Sequence, residues 1–357
     1  MTRSRPLQLT AVAGLVAATM FVGDRSLEPA SIPTAESPPA PVATAPERPV
    51  LDPDQLEATV ASWTMAITAD AVTATTAGTG VVLPDDGLVV TNHHVIAGAR
   101  TVTARSFGTG ALFEAEVLGY DSTEDIAVLR LGGADSLPTA PLIDGADVRI
   151  GDPITAIGNA EGDGLPMAAR GAVTDLDQVL TARSSTDGSQ NRLSGMIEVN
   201  AAVRPGDSGG PLVDDTGAVI GINTAGNAET DPGQPVDAPR SYAVPIAVAT
   251  DVVDQVRSGV GTDTVRVGPT PVLGVTVTNH AGGAEVLWVA VGSPAEQTGM
   301  KVGDVITAVD GRPLGSSREL TSLMMQRGPG DTVAFTWTDS GGAVQDGKVT
   351  LEEGPPR

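Results

Sequence analysis

The chain has 357 residues, no cysteine, and 21 Lys+Arg against 44 Asp+Glu, a net charge of −23. That length accommodates two ordinary domains plus extensions. The missing cysteine excludes disulfides, Cys-zinc sites, iron–sulfur ligands and a thiol nucleophile, and the acidity argues against nucleic acid or anionic lipid as general partners.

Arg3 and Arg5 precede an apolar run from Leu7 to Gly23, closed by Asp24-Arg25. Residues 1–25 therefore read as an N-terminal membrane anchor or signal segment, with the arginines holding the N-terminus inside and the rest of the chain outside the cytoplasm. An uncleaved anchor is favoured, because Phe21-Val22-Gly23 lacks the small residues that precede a signal cut; Ala17-Ala18 is a weaker alternative cleavage site. Residues 26–56 are rich in Pro, Ala, Ser and Glu and read as a disordered, extended spacer. Glu57 to Met65 fits either a short helix or a first strand.

Short apolar runs then alternate with Gly, Asp and Pro turns: Gly80–Leu83, Gly87–Val90, Val117–Tyr120, Ile126–Leu131, Pro153–Ile157, Gly171–Thr174, Gly195–Val199 and Ala218–Ile222. Many short strands at this spacing predict an antiparallel barrel or sandwich, a mainly β fold. Ile246–Val256 has helical spacing without Gly or Pro and predicts a capping helix. Residues 259–271 read as a hinge, Arg318–Gln326 as a helix, and Gly354-Pro355-Pro356-Arg357 as a loose tail.

The pattern with the most chemistry is Arg204-Pro205-Gly206-Asp207-Ser208-Gly209-Gly210-Pro211-Leu212. An acyl-transfer serine needs an exposed hydroxyl on a tight turn, with backbone N–H groups converging where the oxyanion forms. Gly206 lets its amide face that oxygen beside the amide of Ser208, and Gly209 and Gly210 let the chain turn back. The competing reading is a glycine-rich hairpin. A base is available from His93, His94 or His280, the three histidines of the chain. His93-His94 follows an apolar strand, and Asp121-Ser122-Thr123-Glu124-Asp125 brings a carboxylate to the start of another. A metal pair at His93-His94 lacks a clear third ligand, and no cofactor is implied.

Thr91-Asn92-x-His94-Val95, Asp125-Ile126-Ala127-Val128-Leu129 and Gly206-x-Ser208-Gly209-Gly210-Pro211-Leu212 resemble the motifs of trypsin-like proteases of the HtrA/DegP family. Ala156-Ile157-Gly158-Asn159 and Val219-Ile220-Gly221-Ile222-Asn223-Thr224 also match that pattern. The resemblance implies a double six-stranded β-barrel over 57–258 with a Ser208–His94–Asp125 triad between the barrels. It selects His94 over His93 and Asp125 over Asp121, and implies an oxyanion hole from the N–H groups of Gly206 and Ser208. It also implies a substrate pocket around Ala202, Val203, Asn223 and Thr224. Ala202, six residues before the nucleophile, brings no acid to the pocket base, so small or medium apolar P1 residues are expected. Gly226–Arg240 reads as a mobile loop beside the pocket.

The family usually carries Asn at the positions of Arg204 and Asp207. In digestive relatives an Asp beside the nucleophile pairs with a freshly cut N-terminus. Here the expectation is that Arg204 or another arginine neutralises Asp207, since a buried unpaired carboxylate is costly; the bland alternative is an exposed Asp207.

Past a linker at 259–270, Leu273-Gly274-Val275, Ser293-Pro294-Ala295 and Gly303-Asp304-Val305-Ile306 resemble a PDZ domain over 271–353, an α+β module. It implies that an extended peptide adds to an open sheet edge, its C-terminal carboxylate captured by the Leu273–Val275 loop. Leu320, Leu323 and Met324 are pocket or, more simply, core residues. Together these features imply an extracytoplasmic, ATP-independent serine endopeptidase acting on misfolded or regulatory proteins, assembled as a homo-oligomer (trimer or higher). Two readings of another class are a dormant PDZ scaffold and a chaperone that holds unfolded chains.

Overall fold

A computed structural model describes residues 48–357 except 73, 85–86, 135, 144–147, 184–189 and 227–238. The expected anchor and most of the spacer, and nearly all of the expected loop at 226–240, lie outside the described residues. Among the described residues no helix is long and apolar enough to cross a membrane.

The ambiguity at 57–65 resolves into both elements. Asp52 caps α1 (Pro53–Ser62) by accepting from the Gln55 amide, with Pro53 in the first turn, and Leu56 and Val60 are buried; such a cap is worth about 1 kcal/mol. Six strands follow: β1 (Thr64–Asp70), β2 (Thr75–Val82), β3 (Leu88–Thr91), β4 (Thr101–Ser106), β5 (Leu112–Asp121) and β6 (Ile126–Leu131), with the one-turn helix α2 (His93–Ile96) after β3. They pair in the order β5-β4-β1-β2-β3-β6, and β5 also pairs with β6, which closes the ring. The β3–β6 register sets Thr91 opposite Ala127. The residues leaving β3 are thereby brought beside those entering β6.

The second ring is a closed barrel of β7 (Pro153–Gly158), β8 (Met167–Arg183), β9 (Gln190–Val199), β10 (Pro211–Val213), β11 (Val219–Gly226) and β12 (Ser241–Pro245). All eight apolar runs read from the sequence lie on strands of the two barrels. Ile, Val and Leu side chains fill both interiors, Val89, Val90, Val128, Leu129, Leu212 and Val219 being fully buried; each such side chain contributes about 1.5–3 kcal/mol. The capping helix is α3 (Ile246–Arg257), which buries Ile246, Ala249, Val252, Val253 and Val256 on one face.

Two expectations need correction. Residues 259–271 are not simply a hinge: β13 (Val265–Val267) adds to β5 at the first barrel, pairing Val265 with Asp121. The three-residue run Val-Arg-Val was too short to show a period, and its pairing is entirely non-local. The tail is not loose. After β14 (Thr270–Val272), β15 (Val275–His280), β16 (Gly283–Val289), α4 (Pro294–Gln297), β17 (Val305–Val309), β18 (Arg312–Pro313), α5 (Ser317–Met325), β19 (Thr332–Thr338) and β20 (Val344–Thr350), the chain ends in β21 (Glu352–Gly354). β21 pairs with β14, and Pro356 is buried. The Gly98 amide donates to the Pro356 carbonyl at 2.8 Å, and the Arg357 amide to the Tyr120 hydroxyl at 3.3 Å.

The second module has sheet order β15-β16-β17-β19-β20, leaving β15 at an edge, with α5 packed against β15 and β16. Leu320 is core, and Leu323 and Met324 pack partly buried against that core. Arg266 is buried, and its guanidinium donates to the carbonyls of Met325 (3.0 Å), Arg327 and Pro269. It ties the C-terminal end of α5 to β13, where a cation also suits the helix dipole.

Candidate active site

The strand register brings Asn92–His94 against Asp125. Asp125 takes a left-handed backbone (φ 56°), uncommon for a residue with a side chain, and its carbonyl accepts from Asn92 Nδ2 (2.9 Å) and the His93 amide (3.2 Å). Its carboxylate faces His94 twice. Oδ1 accepts from the His94 amide at 2.9 Å, and Oδ2 lies 2.8 Å from His94 Nδ1. Thr224 Oγ1 donates to the same Oδ2.

Electrostatics follow from these contacts. Burial alone would push the Asp125 carboxyl up, but the charge of His94 and the hydrogen bonds from His94 and Thr224 hold it below its ordinary range. For His94, burial works against the charged form, yet the charge and hydrogen bond of Asp125 prevail and raise its pKa. The His94 ring keeps 44% of its side-chain surface exposed, so its outer edge opens on solvent while the Nδ1 edge is held. Burial instead lowers the pKa of His93, whose ring packs on Tyr120 at 4.8 Å between centroids. His93 thus sits behind His94 rather than beside a substrate. Among the described residues no three metal-ligating side chains converge.

Ser208 stands between β9 and β10 in a turn whose carbonyls are all tied back. Pro205 O accepts from the Glu161 amide (2.9 Å), Gly206 O from Thr79 Oγ1 (2.7 Å), Asp207 O from the Gly210 amide (2.9 Å) and Ser208 O from the Thr79 amide (2.8 Å). Because a trans peptide points its N–H opposite its C=O, the N–H groups of Gly206 and Ser208 are aimed away from these anchors. Among the described residues no backbone acceptor takes either one. Gly206 has φ 101°, and a Cβ there would lie 2.1 Å from the Asn159 carbonyl. Gly209 has φ 84°, and a Cβ would lie 2.1 Å from Thr79 O and 2.2 Å from Thr91 Oγ1. At Gly209 atoms of the first barrel occupy the space a side chain would need, whereas at Gly210 a Cβ would meet the Ile157 carbonyl of β7 at 2.3 Å. Ser208 Oγ donates to the Thr224 carbonyl at 3.1 Å, and no hydrogen bond joins it to His94 among the described residues.

The expected pocket residues divide. Ala202 is exposed, while Val203 is 3% exposed within the second barrel's core. Asn223 is buried and anchors the nucleophile turn: its carbonyl accepts from the Gly209 amide, its amide donates to Gly210 O, and Nδ2 donates to Pro211 O. Thr224 bridges Asp125 and Ser208. Both residues therefore hold the turn and the carboxylate: the Asn223 Nδ2 and the Thr224 hydroxyl point inward to Pro211 O and Asp125, and the buried Asn223 Oδ1 has no partner among the described residues. His280 lies on β15, in the second module.

The expected Arg204–Asp207 ion pair is absent. The Arg204 guanidinium lies on the exposed Glu161 carboxylate at 3.4 Å; Arg204 bonds Asp207 Oδ2 through its backbone amide at 2.9 Å, and its charge acts on the carboxylate without direct contact. Asp207 is not exposed either: it retains 4% of its surface, its Oδ1 has no hydrogen-bond partner among the described residues, and burial raises its pKa. Gly158 packs so tightly here that a Cβ would meet Asp207 Oδ1 at 2.5 Å, leaving no room for an arginine on that side.

In the second module Leu273 is buried, and the carbonyls of Leu273 and Gly274 are taken by the amides of Ala295 and Ala290. Val275 opens the edge strand β15. Sequence reasoning missed Thr79 altogether, noted Asn159 only as part of a longer pattern, and assigned Thr224 to the substrate pocket rather than to Asp125 and Ser208. Isolated threonines carry no period or spacing, so nothing local marked them.

Comparison with known proteins agrees with this architecture. Residues 78–222 match the trypsin-like peptidase domain family and residues 271–349 the PDZ domain family. The chain is 31% identical over 338 residues to serine protease PepD of Mycobacterium tuberculosis, covering 90% of this chain and 68% of that protein. It is 32% identical over 297 residues to serine protease Do-like HtrA of Lactobacillus helveticus, covering 77% and 68%. A probable periplasmic serine endoprotease, DegP-like, of Rhizobium meliloti is 33% identical over 273 residues, covering 74% of this chain and 51% of that protein. The chain belongs to the HtrA-like serine endopeptidases, which join a trypsin-like protease fold to a PDZ domain.

Proposed function

We propose that this endopeptidase works through Ser208 as nucleophile, His94 as general base and Asp125 as the group that orients and charges the imidazole. The observation that carries this reading is the doubly bonded His94–Asp125 pair, with Nδ1 on Oδ2 at 2.8 Å, sharing Thr224 with Ser208. Ser208 Oγ rests on the Thr224 carbonyl and reaches His94 Nε2 by rotation about χ1 when substrate enters. Catalytic hydrogen bonds of this kind often form only in the substrate complex. His94 takes the Ser208 proton as Oγ attacks the scissile carbonyl, then gives it to the leaving amine. The oxyanion is held by the N–H groups of Gly206 and Ser208. Water then cleaves the acyl-enzyme by the same proton route.

Without an acid at Ala202, the pocket favours small or medium apolar P1 side chains. In this reading the protease domain spans 57–258, residues 259–270 link it to the PDZ domain at 271–353, and 354–357 follow as a tail. The edge strand β15, flanked by α5, takes an extended peptide whose C-terminus meets the Leu273–Val275 loop. The Arg3/Arg5-led apolar run places both domains outside the cytoplasm, tethered by residues 1–25. Substrates are misfolded or regulatory proteins, and the working form is a homo-oligomer. Fluorophosphonate labelling tests the core of the proposal. The chain should label at one site, Ser208→Ala should not label, and His94→Ala should label at least about a hundredfold more slowly; labelling of Ser208→Ala at the wild-type rate would overturn it.

A further inference from the structure

Thr79 is fully buried on β2, in the first barrel, yet two of its three polar groups, the amide and the hydroxyl, serve the turn that carries Ser208 in the second. Its amide donates to Ser208 O at 2.8 Å. Its hydroxyl donates to Gly206 O at 2.7 Å and accepts from the Asn159 amide at 2.8 Å. Its carbonyl accepts from Thr91 Oγ1 at 2.6 Å, and Thr91 is the last residue of β3 before the Asn92–His94 segment.

A hydroxyl has one proton to give and here gives it to Gly206. The Asn159 amide fixes the rotor by occupying the acceptor side, so the chain Asn159 N–H, Thr79 O–H, Gly206 C=O has one direction. Chained bonds of this kind polarise one another in a low-dielectric interior. Asn159 itself is held by Nδ2 on Gly78 O and by the Gly164 amide on Oδ1. The Gly206 carbonyl belongs to the peptide plane between the two plane-bearing N–H groups that would face an oxyanion. The outer planes are anchored by the Glu161 amide on Pro205 O and the Gly210 amide on Asp207 O; pinning the Gly206 carbonyl between them limits the remaining rotation at Gly206, whose φ no side chain restricts.

We infer that the Thr79 hydroxyl is a positioning group for the oxyanion-binding turn, holding the Gly206 and Ser208 amides in line from the opposite barrel. The inference rests on the triad and oxyanion reading given above. Thr79 touches no substrate; it acts through Gly206 and Ser208, while its carbonyl steadies the strand that leads to His94. A preorganised donor pair stabilises the tetrahedral intermediate more than the bound substrate. Loss of the hydroxyl should therefore lower kcat and leave KM nearly unchanged.

The test compares Thr79→Ser, which keeps the hydroxyl, with Thr79→Ala and Thr79→Val, which lose it. The full chain is assayed with fluorescently labelled casein, with active sites counted by fluorophosphonate. Thr79→Ala and Thr79→Val should lose about tenfold to a hundredfold in kcat, with KM within about twofold, and should label with fluorophosphonate correspondingly slowly; Thr79→Ser should recover most of both rates. Thr79→Ser and Thr79→Ala differ only in the hydroxyl, so that pair decides the matter even where Thr79→Val does not fold. Equal kcat in Thr79→Ser and Thr79→Ala would overturn the inference. So would a loss confined to KM, or a loss that vanishes once rates are divided by the count of active sites. Ser208→Ala, run alongside, separates the two levels: casein cleavage surviving in Ser208→Ala would remove the triad reading itself.

Discussion

At the scale of single residues, two carboxylates a few ångströms from the chemistry are held in opposite states. Asp125 is stabilised as an anion by His94 and Thr224; Asp207 is buried with an unmatched oxygen and pushed toward its neutral form. A general base must be neutral to accept a proton, and the pKa of His94 is raised. The acid limb of kcat/KM should therefore lie above the usual imidazole pKa of about 6.5, activity rising as pH increases through it. Asp125→Asn removes the charge that raises it, so the limb should move to lower pH while kcat falls by about 10³–10⁴-fold; a pH–rate profile of both proteins checks this. For Asp207 the sign is reversed. A carboxyl whose folded pKa is raised binds its proton more tightly when folded, so folding loses stability as pH rises from the unfolded pKa through the folded one. Asp207→Asn should thus gain about 1 kcal/mol at pH 7 and nothing at a pH below the unfolded value, read by urea unfolding at both pH values. Equal or lower stability of the variant at pH 7 would mean that Asp207 is satisfied as an anion.

At the scale of elements, the site depends on pieces of chain far apart in sequence arriving at one end of two barrels. The β3–β6 register supplies His94 and Asp125, the β9–β10 turn supplies Ser208, and β2 binds one to the other. Behind α2 a further clamp is formed by β21 and its following residues, through Gly98, Tyr120 and Thr270. Tyr120→Phe keeps the ring on His93 but removes the hydroxyl bonded to Arg357 and Thr270. It should cost about 1 kcal/mol and speed hydrogen exchange of the Gly98 amide; unchanged exchange would show that the tail does not depend on this bond. What the sequence revealed follows the same division. Ser208, His94 and Asp125, the triad proposed above, could be singled out because each sits in a contiguous pattern whose glycines and apolar neighbours are dictated by the local backbone. The barrel strands were legible through their apolar runs between turn residues. Thr79, the Val265–Val267 strand and the docked Pro356 were not, because their roles come from partners more than a hundred residues away. Arg204 misled for a related reason: it is near Asp207 in sequence, but its guanidinium lies on Glu161, and its charge at a distance does not offset the burial of Asp207.

At the scale of the whole molecule, the protease fold and the PDZ module are joined by more than a linker. β13 adds to the first barrel, Arg266 holds the end of α5, and β21 pairs with β14. The central claim remains that Ser208, served by His94 and Asp125, cleaves peptide bonds. It is tested most directly by measuring casein cleavage by the full chain and by Ser208→Ala under the same conditions. The account predicts cleavage by the first and a loss of at least about 10³-fold in the second, with both proteins unfolding at the same temperature. Equal cleavage by the two would contradict it.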